Sequence, residues 1–333
     1  MKYFKRWGGL LFLAISLLGL SSWGFLVHKT VHQIAVYQLP AQMTPFFYGN
    51  INQLVYDAPR ADTRRNTDST EATKHFIDLE AYGPKSAYKM PFNWEDAKRL
   101  YTKDSLLKYG YVPYHILFIK DKLTAAFRSK NKDSILFYAA DIGHYIADAH
   151  VPLHTTLNYD GQLTDQKGIH SLWESMVPEI EIGSYNLYSK HKAQYLNKPA
   201  AAIWKVIRNS NELLPNVLAK EKLVSLQFTD AQKYRVQIRR GKEVKSYTTA
   251  FAKAYALSLK NTINMQLLHS AELIADFWYT SWKDAGSPDL TSITNWNLEK
   301  AAAYDTEIQL YKANQLLKQN KLQAKKEDIK EGQ

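Results

Sequence analysis

The sequence contains two histidine–acid pairs with a four-residue spacing. His144 and Asp148 form one pair, and His170 and Glu174 form the other. On an α-helix, residues four apart project from the same face, so each pair could offer two ligands to one metal ion. One such pair alone is more often a hydrogen bond on a helix face. Two pairs with His154 between them, in a chain without cysteine, favour a metal centre built from imidazole and carboxylate ligands.

Further candidate ligands lie upstream. Asp62 lies in a polar segment and His75 precedes Phe-Ile-Asp, and taken singly such residues are usually solvated or packed in a core. His28 comes five residues after Trp23, which follows a predicted cleavage point. A deprotonated α-amino group is a good nitrogen ligand, and the carbonyl oxygen of the same residue can complete a five-membered chelate. His32 follows His28 by four residues and leaves a His28/His32 pair as an alternative.

Taken together, these residues resemble the ligand set of a known superfamily. The set is Trp23, His28, Asp62, His75, His144, Asp148, His154, His170 and Glu174, and all nine positions occur in order. This pattern is similar to that of the zinc-dependent phospholipase C and S1/P1 nuclease superfamily, in particular its secreted bacterial members.

The resemblance implies three zinc ions in a cleft of an all-α domain. The ions would be held, in turn, by Asp62, His75, His144 and Asp148; by His154, His170 and Glu174; and by the Trp23 amino nitrogen and carbonyl oxygen with His28 and Asp148. Asp148 would bridge two ions, which suits a carboxylate with two oxygens.

The resemblance also implies hydrolysis of a phosphodiester to a phosphomonoester without a covalent enzyme intermediate. A water shared by two cations loses its proton near neutral pH and becomes the nucleophile. Asp62 and Asp148 are the residues expected to act in catalysis, and Asp62 could orient the water. We expect acidic residues behind the ligands to fix the histidine tautomers, with Asp78, Asp141 and Glu80 as candidates.

The details of the pattern divide between the two branches of the superfamily. The five-residue step from Trp23 to His28 is like that of the nucleases, whereas the closing acid, Glu174, is like that of the phospholipases. The segment 75–83 is similar to secreted bacterial members of both kinds. We expect a phosphodiester substrate, with single-stranded nucleic acid slightly favoured. Phospholipid head groups, or a zinc-binding relative without catalysis, are the alternatives, and the sequence indicates no obligate protein partner.

Charge is a weak guide to the substrate. A net positive charge favours a polyanion, and Arg64, Arg65 and the segment 235–245 could form a basic rim for phosphates. A moderate charge is, however, often a matter of solubility. A phospholipase would instead need an exposed apolar rim at the cleft.

The composition indicates a globular protein. The chain has 333 residues, a formal net charge of +11, ten histidines and no cysteine. Its 45% hydrophobic and 23% charged residues are ordinary for a domain with a sizeable core, which excludes collagen, disordered chains and multi-span membrane proteins. The lack of cysteine excludes a disulfide scaffold, thiolate zinc fingers and a cysteine nucleophile.

The N-terminal residues are typical of a secretory signal. Lys2, Lys5 and Arg6 precede an apolar run at 7–20, which is shorter than the roughly 20 residues of a bilayer-spanning helix. We predict a signal peptide at 1–22 and a secreted or periplasmic protein, with an uncleaved anchor as the alternative. Cleavage would leave a net charge of +8, and no later segment is apolar enough to span a membrane.

The remaining pattern is mostly helical and predicts one large domain over 23–317, followed by a charged tail at 318–333. Two helical subdomains are the alternative. Apolar spacing predicts helices at 27–39, 42–56, 115–128, 133–149, 200–219, 247–282 and 291–317, and a helix from 170 to 176 interrupted near Pro178. Asn93 is predicted to cap a helix. Polar segments at 57–74 and 158–168 predict loops, and alternation over 234–247 predicts a small β-hairpin.

Overall fold

The structure, a computed structural model, describes residues 24–239 and 242–325. Within them the fold is all-α with one small antiparallel hairpin, which confirms the predicted fold class. The predicted signal peptide at 1–22, the candidate ligand Trp23 and the last residues of the predicted tail, 326–333, lie outside the described residues.

The helices follow each other with short connections. In chain order they are α1 (Phe25–Tyr37), α2 (Thr44–Gly49), α3 (Ile51–Asp57), α4 (Arg60–Arg64), α5 (Ser86–Lys89), α6 (Trp94–Tyr101), α7 (Lys103–Tyr109), α8 (Val112–Arg128), α9 (Lys132–Ala149), α10 (Ile169–Ser171), α11 (Val177–Glu181), α12 (Pro199–Ser225), α13 (Asp230–Lys233), α14 (Thr249–Leu259), α15 (Thr262–Asp284) and α16 (Leu298–Lys312). Short 3₁₀ turns lie at Ala72–Lys74, Leu79–Tyr82, Pro152–Thr155, Thr291–Ile293 and Gln323–Lys325, and a π-turn at Leu172–Met176 joins α10 to α11. None of the helices in these ranges combines the length and hydropathy that a bilayer crossing requires.

Helix α9 is the centre of the fold. It packs against α1, α3, α8 and α15, so its second half, from Ala139 to Ala149, is buried on every side. A helix enclosed in this way normally presents only apolar residues. His144 and Asp148 are therefore exceptional, because they are 0% and 1% exposed.

Two clusters of buried apolar side chains meet near these residues. The larger one is built on α1, α3, α8, α9 and α15, and the smaller one on the turn around Leu153, the π-turn, α12 and α14. His144 and Asp148 belong to an element of the larger cluster, whereas Glu174 belongs to an element of the smaller one. The predicted ligands thus lie at the boundary between two packed units.

Most of the predicted helices are present. Those at 27–39, 115–128, 133–149 and 200–219 correspond to α1, α8, α9 and α12. The Asn93 side chain accepts hydrogen bonds from two backbone N–H groups of α6, which confirms the predicted cap.

The prediction of a loop over 57–74 was wrong in part, because α4 and a 3₁₀ turn lie within it. The polar residues of this segment are not simply solvated. Arg60 and Arg64, one turn apart on α4, both donate hydrogen bonds to Asp141 of α9 at 2.7 and 2.9 Å. A contact between distant segments therefore supports a helix that the local pattern does not indicate.

Two predicted boundaries were also wrong. The helix predicted over 247–282 is divided at Lys260, whose φ of 53° is incompatible with a right-handed helix. Pro178, in contrast, does not interrupt the helix. The Val177 N–H donates to the carbonyl of Leu172, five residues back, so the helix has already changed register where proline, which lacks an N–H, follows.

The predicted hairpin is present as β1 (Tyr234–Arg239) and β2 (Lys242–Tyr247). The strands pair antiparallel, from Tyr234 opposite Tyr247 to Arg239 opposite Lys242. The packed domain extends further than the predicted boundary at 317, because Leu322 is fully buried.

Gly143 permits the close approach of α1 to α9. A Cβ atom at this position would collide with the His32 ring, 2.7 Å from its Cε1 atom. Although alanine is normally the better helix former, we expect Gly143→Ala to lower the free energy of unfolding by about 1–3 kcal/mol, because the two helices must separate. Chemical denaturation would measure the change.

Gly183→Ala is the matched control. Its Cβ would lie 3.9 Å from Leu317 Cδ2, an ordinary contact, so the free energy of unfolding should change by less than about 0.5 kcal/mol. A Gly143→Ala protein as stable as this control would show that the packing of α1 on α9 is not tight.

Candidate metal centre

Eight of the nine predicted ligands are described, and they converge from six segments. His28 lies on α1, Asp62 on α4, His75 directly after the Ala72–Lys74 turn, His144 and Asp148 on α9, His154 in the Pro152–Thr155 turn, and His170 and Glu174 on α10 and the π-turn. The ninth, Trp23, lies outside the described residues.

The first group consists of Asp62, His75, His144 and Asp148. Asp148 Oδ2 lies 2.8 Å from His75 Nδ1 and 3.3 Å from His144 Nε2, and the two ring nitrogens are 3.2 Å apart. Asp62 Oδ1 lies 3.8 Å from both nitrogens. The His144 Nδ1–H donates to the Ala58 carbonyl at 2.9 Å, which leaves its Nε2 lone pair directed at the group. Within this group, the donor atoms of Asp62, His75 and His144 all lie within 4.8 Å of one another.

The second group consists of His154, His170 and Glu174. The two histidine Nε2 atoms lie 2.8 Å apart, and Glu174 Oε2 lies 2.7 Å from that of His170 and 3.5 Å from that of His154. The His154 Nδ1–H donates to the carbonyl of His75 at 2.9 Å. This hydrogen bond directs the lone pair of His154 Nε2 toward the second group. It also links His154 to the segment that carries His75, a residue of the first group.

The third group is formed by His28 and the carboxylates beside it. His28 Nε2 lies 3.6 Å from Asp148 Oδ1, 3.8 Å from Glu174 Oε1 and 4.0 Å from Asp62 Oδ2. Both ring nitrogens of His28 are buried, and neither has a hydrogen-bond partner among the described residues. Asp148 thus presents one oxygen to the first group and the other to His28, as a bridging carboxylate does.

Three sets of donor atoms among these residues could hold a metal ion. They are Asp62, His75 and His144; His28, His144 and Asp148; and His154, His170 and Glu174. The pKa values of these residues are consistent with metal binding. Burial alone would raise the pKa of Asp148, but the adjacent histidines, chiefly His144, hold it well below its usual range. Burial alone would lower the pKa of His75, but Asp148 and Glu71 raise it to about 9. Burial, together with the nearby His28, lowers the pKa of His144 to about 3. In the absence of a cation, a proton on His75 thus compensates the negative charge of the adjacent carboxylates.

Solvent reaches the centre at two of its candidate ligands. The side chains of His28, His75, His144 and Asp148 are at most 3% exposed, whereas Asp62 and His170 are 28% and 29% exposed. A structural zinc site is normally closed by its protein ligands, and an accessible side is typical of a catalytic one. A small ligand could enter beside Asp62 and His170.

Glu71 supports the first group and was missed by the sequence prediction. Its side chain is fully buried, and Oε1 lies 3.4 Å from His75 Nε2, on the side of the ring opposite the group. Arg64 donates to Glu71 at 3.0 and 3.1 Å, and Lys74 donates to it at 2.7 Å. Tyr145 also donates to it. Glu71 precedes His75 by four residues, so the spacing that indicated the other pairs could have indicated this one.

The predicted supporting acids have other roles. Asp141 accepts hydrogen bonds from Arg60 and Arg64 and so fixes α4, which carries Asp62 between these arginines. Glu80 accepts hydrogen bonds from Thr156 and the Leu157 N–H. Asp78 is buried, and burial together with the nearby Glu80 raises its pKa to about 7.

The structure also separates His28 from the alternative, His32. Both ring nitrogens of His32 face backbone carbonyls, those of His28 at 2.7 Å and Ala140 at 3.0 Å, so its ring is directed away from the groups. His150 Nδ1 lies 2.8 Å from the Ile146 carbonyl. Neither histidine belongs to a set of donor atoms that could hold a metal ion among the residues that the structure describes.

The segment 157–168 forms a rim beside the second group. The Tyr159 ring lies 6.1 Å from the His170 ring and is 52% exposed, and Leu157 and Leu163 are 37% and 70% exposed. The Asn158 side chain holds the segment by accepting from the Leu163 N–H at 2.7 Å and donating to Thr164 at 2.9 Å. The segment therefore exposes an aromatic ring beside His170 and two leucines on the same loop.

No family model matches the chain, and no curated protein sequence is significantly similar to it. The functional assignment rests on the residues and their geometry.

Glu71→Gln should weaken metal binding. Without the carboxylate charge 3.4 Å from its Nε2, the His75 ring is held less firmly, so we expect about a 10–100-fold loss of affinity. Competition with a chromophoric chelator would measure it. The control is Glu307→Gln: Glu307 is also buried, accepts from Tyr37 and lies near Lys321, remote from the groups. Both changes should lower stability, but unchanged affinity in Glu71→Gln would contradict the supporting role.

Metal affinity should rise with pH up to about 9. His75 has a pKa raised to about 9, and those of His28 and His170 are also raised. These rings must lose their protons before they can bind a cation, so each bound proton weakens binding by up to about tenfold per pH unit below its pKa. In the metal-free protein, the stabilising His75 charge is present below the unfolded pKa and is lost as the pH rises through about 9. Proton release on metal addition in dilute buffer would test the prediction, and a pH-independent affinity would contradict it.

Proposed function

We propose that the protein is a secreted or periplasmic hydrolase that uses three zinc ions to cleave phosphodiester bonds. The observation that carries the proposal is the convergence of imidazole and carboxylate donors on adjacent points, with Asp148 directed at two of them. The predicted signal peptide at 1–22 supports the location.

The donor atoms suit zinc. Ligands at the usual 2.0–2.1 Å in a tetrahedral zinc site lie about 3.3 Å from each other. The His75–His144 and His144–Asp148 separations of 3.2 and 3.3 Å match this spacing. The ring nitrogens of His28 are buried and have no hydrogen-bond partner in the described ranges, so they are available as a further metal ligand. The first group would hold one ion, the second group another, and His28 and Asp148, with the Trp23 amino and carbonyl groups, a third.

The protein residues have different roles in the proposed reaction. When bound, zinc ions would lower the pKa of a water and neutralise the charge of the phosphate. Asp62, the more exposed carboxylate of the first group, would orient the attacking water. Asp148, whose depressed pKa keeps it anionic, holds adjacent groups together without exchanging protons. The backbone carbonyls of Ala58 and His75 and the carboxylate of Glu71 keep the ligand histidines in the required tautomers.

Single-stranded nucleic acid is the substrate that we favour slightly. The half-exposed Tyr159 ring next to His170 offers a face on which a base can stack, and the net positive charge favours a polyanion. Phospholipid is the second candidate, because Leu157 and Leu163 are exposed on the same rim. A role restricted to metal storage is less well supported, since Asp62 and His170 are partly exposed.

A substrate panel tests the proposal. The mature protein, with its N-terminus checked by mass spectrometry at Trp23, would be assayed with single-stranded DNA, RNA and phosphatidylcholine, with and without a chelator. We expect hydrolysis that the chelator abolishes and zinc restores, and about three zinc ions per chain. Failure to cleave any phosphodiester, or a content of one zinc or none, would refute the proposal.

His144→Ala should abolish this hydrolysis. The change removes a ligand of the first group, so the loss should exceed the roughly 10–100-fold cost of removing an outer partner. His269→Ala is the control, because His269 is exposed and belongs to none of the groups. Zinc content and initial rates would be compared, and full activity of His144→Ala would exclude the mechanism.

A further inference from the structure

The β-hairpin has a rigid root. Tyr247 is 1% exposed, its ring packs 5.1 Å from that of Tyr234, and its hydroxyl lies 3.0 Å from a carboxylate oxygen of Glu221. Lys233, directly before β1, forms an ion pair with the same glutamate at 2.8 Å. The strands therefore leave the domain from a fixed base.

Beyond this root the hairpin exposes aliphatic side chains on both faces. Val236, Ile238 and Val244 are 54%, 76% and 37% exposed. Side chains alternate along a strand, and paired residues share a face. Val236 and Ile238 thus lie on the face of Tyr234, whereas Val244, paired with Gln237, lies on the other. Water would otherwise surround three β-branched apolar side chains, which is unusual for a soluble protein.

The same segment is strongly basic. Between 235 and 245 the sequence has five basic residues, Arg235, Arg239, Arg240, Lys242 and Lys245, and one acidic residue, Glu243. Lys245 is exposed, with its Nζ 4.7 Å from the centre of the Tyr234 ring. Apolar and cationic residues are therefore combined in one short projection.

We propose that this hairpin docks the protein on an anionic lipid surface. The aliphatic side chains would enter the boundary between head groups and acyl chains, and the cations would pair with lipid phosphates. A flat protein surface or a nucleic acid strand would cover one face of the hairpin, whereas a bilayer can contact Val236 and Ile238 on one face and Val244 on the other. Aliphatic side chains also provide no face on which bases can stack. We therefore assign the negative partner of the basic residues to anionic lipid and not to a nucleic acid.

Docking through the hairpin would affect the metal centre because the root of the hairpin lies near the second group. The Tyr247 hydroxyl lies 3.2 Å from the carbonyl of Gln166, and its ring lies against Gly168, directly before α10 and His170. Attachment of the hairpin would hold the second group close to the lipid surface. The inference goes beyond the proposed function, because lipid binding requires no hydrolysis.

Vesicle flotation of the full chain tests the proposal. Vesicles of phosphatidylcholine mixed with phosphatidylglycerol should bind the protein, and pure phosphatidylcholine vesicles should bind it more weakly. A chelator in all samples prevents hydrolysis, so the result is independent of the proposed activity. The double change Val236→Ser with Ile238→Ser should lower the partition coefficient at least about tenfold, because two apolar side chains lose their contact with lipid. Absence of binding to the anionic vesicles would overturn the proposal.

Matched variants separate docking from other effects. Leu298→Ser alters a residue that is 89% exposed on α16 and should leave vesicle binding unchanged. Lys245→Gln should weaken binding to anionic vesicles only. Circular dichroism and hydrolysis of the soluble substrate bis-p-nitrophenyl phosphate would confirm that the double variant is folded. If the double variant bound vesicles normally but lost affinity for a single-stranded oligonucleotide, the lipid assignment would be wrong.

Discussion

The constraint on which the rest of the structure depends is the burial of imidazole and carboxylate side chains that could hold metal ions. His75 Nδ1 and His144 Nε2 lie 3.2 Å apart, and Asp148 Oδ2 lies within 3.3 Å of both. Removed from water, such a group is costly unless cations or protons balance it. The metal-free protein achieves this balance with a proton on His75, whose pKa is raised to about 9. A divalent cation would replace that proton and satisfy the remaining lone pairs together.

A second layer of charge keeps these side chains in place. Asp141 holds Arg60 and Arg64, and Glu71 holds Arg64 and Lys74. Removing one partner of such a buried pair would leave the other uncompensated, so these contacts act together. Because the same arginines lie on both sides of Asp62 along α4, the layer that stabilises the fold also determines where the most exposed ligand carboxylate lies.

The position of the centre at the boundary of two apolar clusters explains how it can be both rigid and accessible. Helix α9 supplies buried ligands from the larger cluster, while the turn with His154 and the segment from His170 to Glu174 come from the smaller one. His170, one of the two more exposed candidate ligands, lies on the side of the smaller cluster, near Tyr159 and the root of the hairpin.

The sequence by itself determined the helical class and the hairpin, because the periodicity of apolar residues is local. It also indicated the pairs on α9 and at His170, since a four-residue spacing is a property of one helix. Glu71 and His75 have this spacing too.

Only the tertiary structure decided that α4 is helical, because Asp141 of α9 supports its arginines. It likewise decided between His28 and His32, which are equivalent in spacing, because the close approach of α1 to α9 directs the His32 ring at the Ala140 carbonyl and leaves His28 beside Asp148. Such choices depend on contacts between segments far apart in the chain, which no local pattern contains.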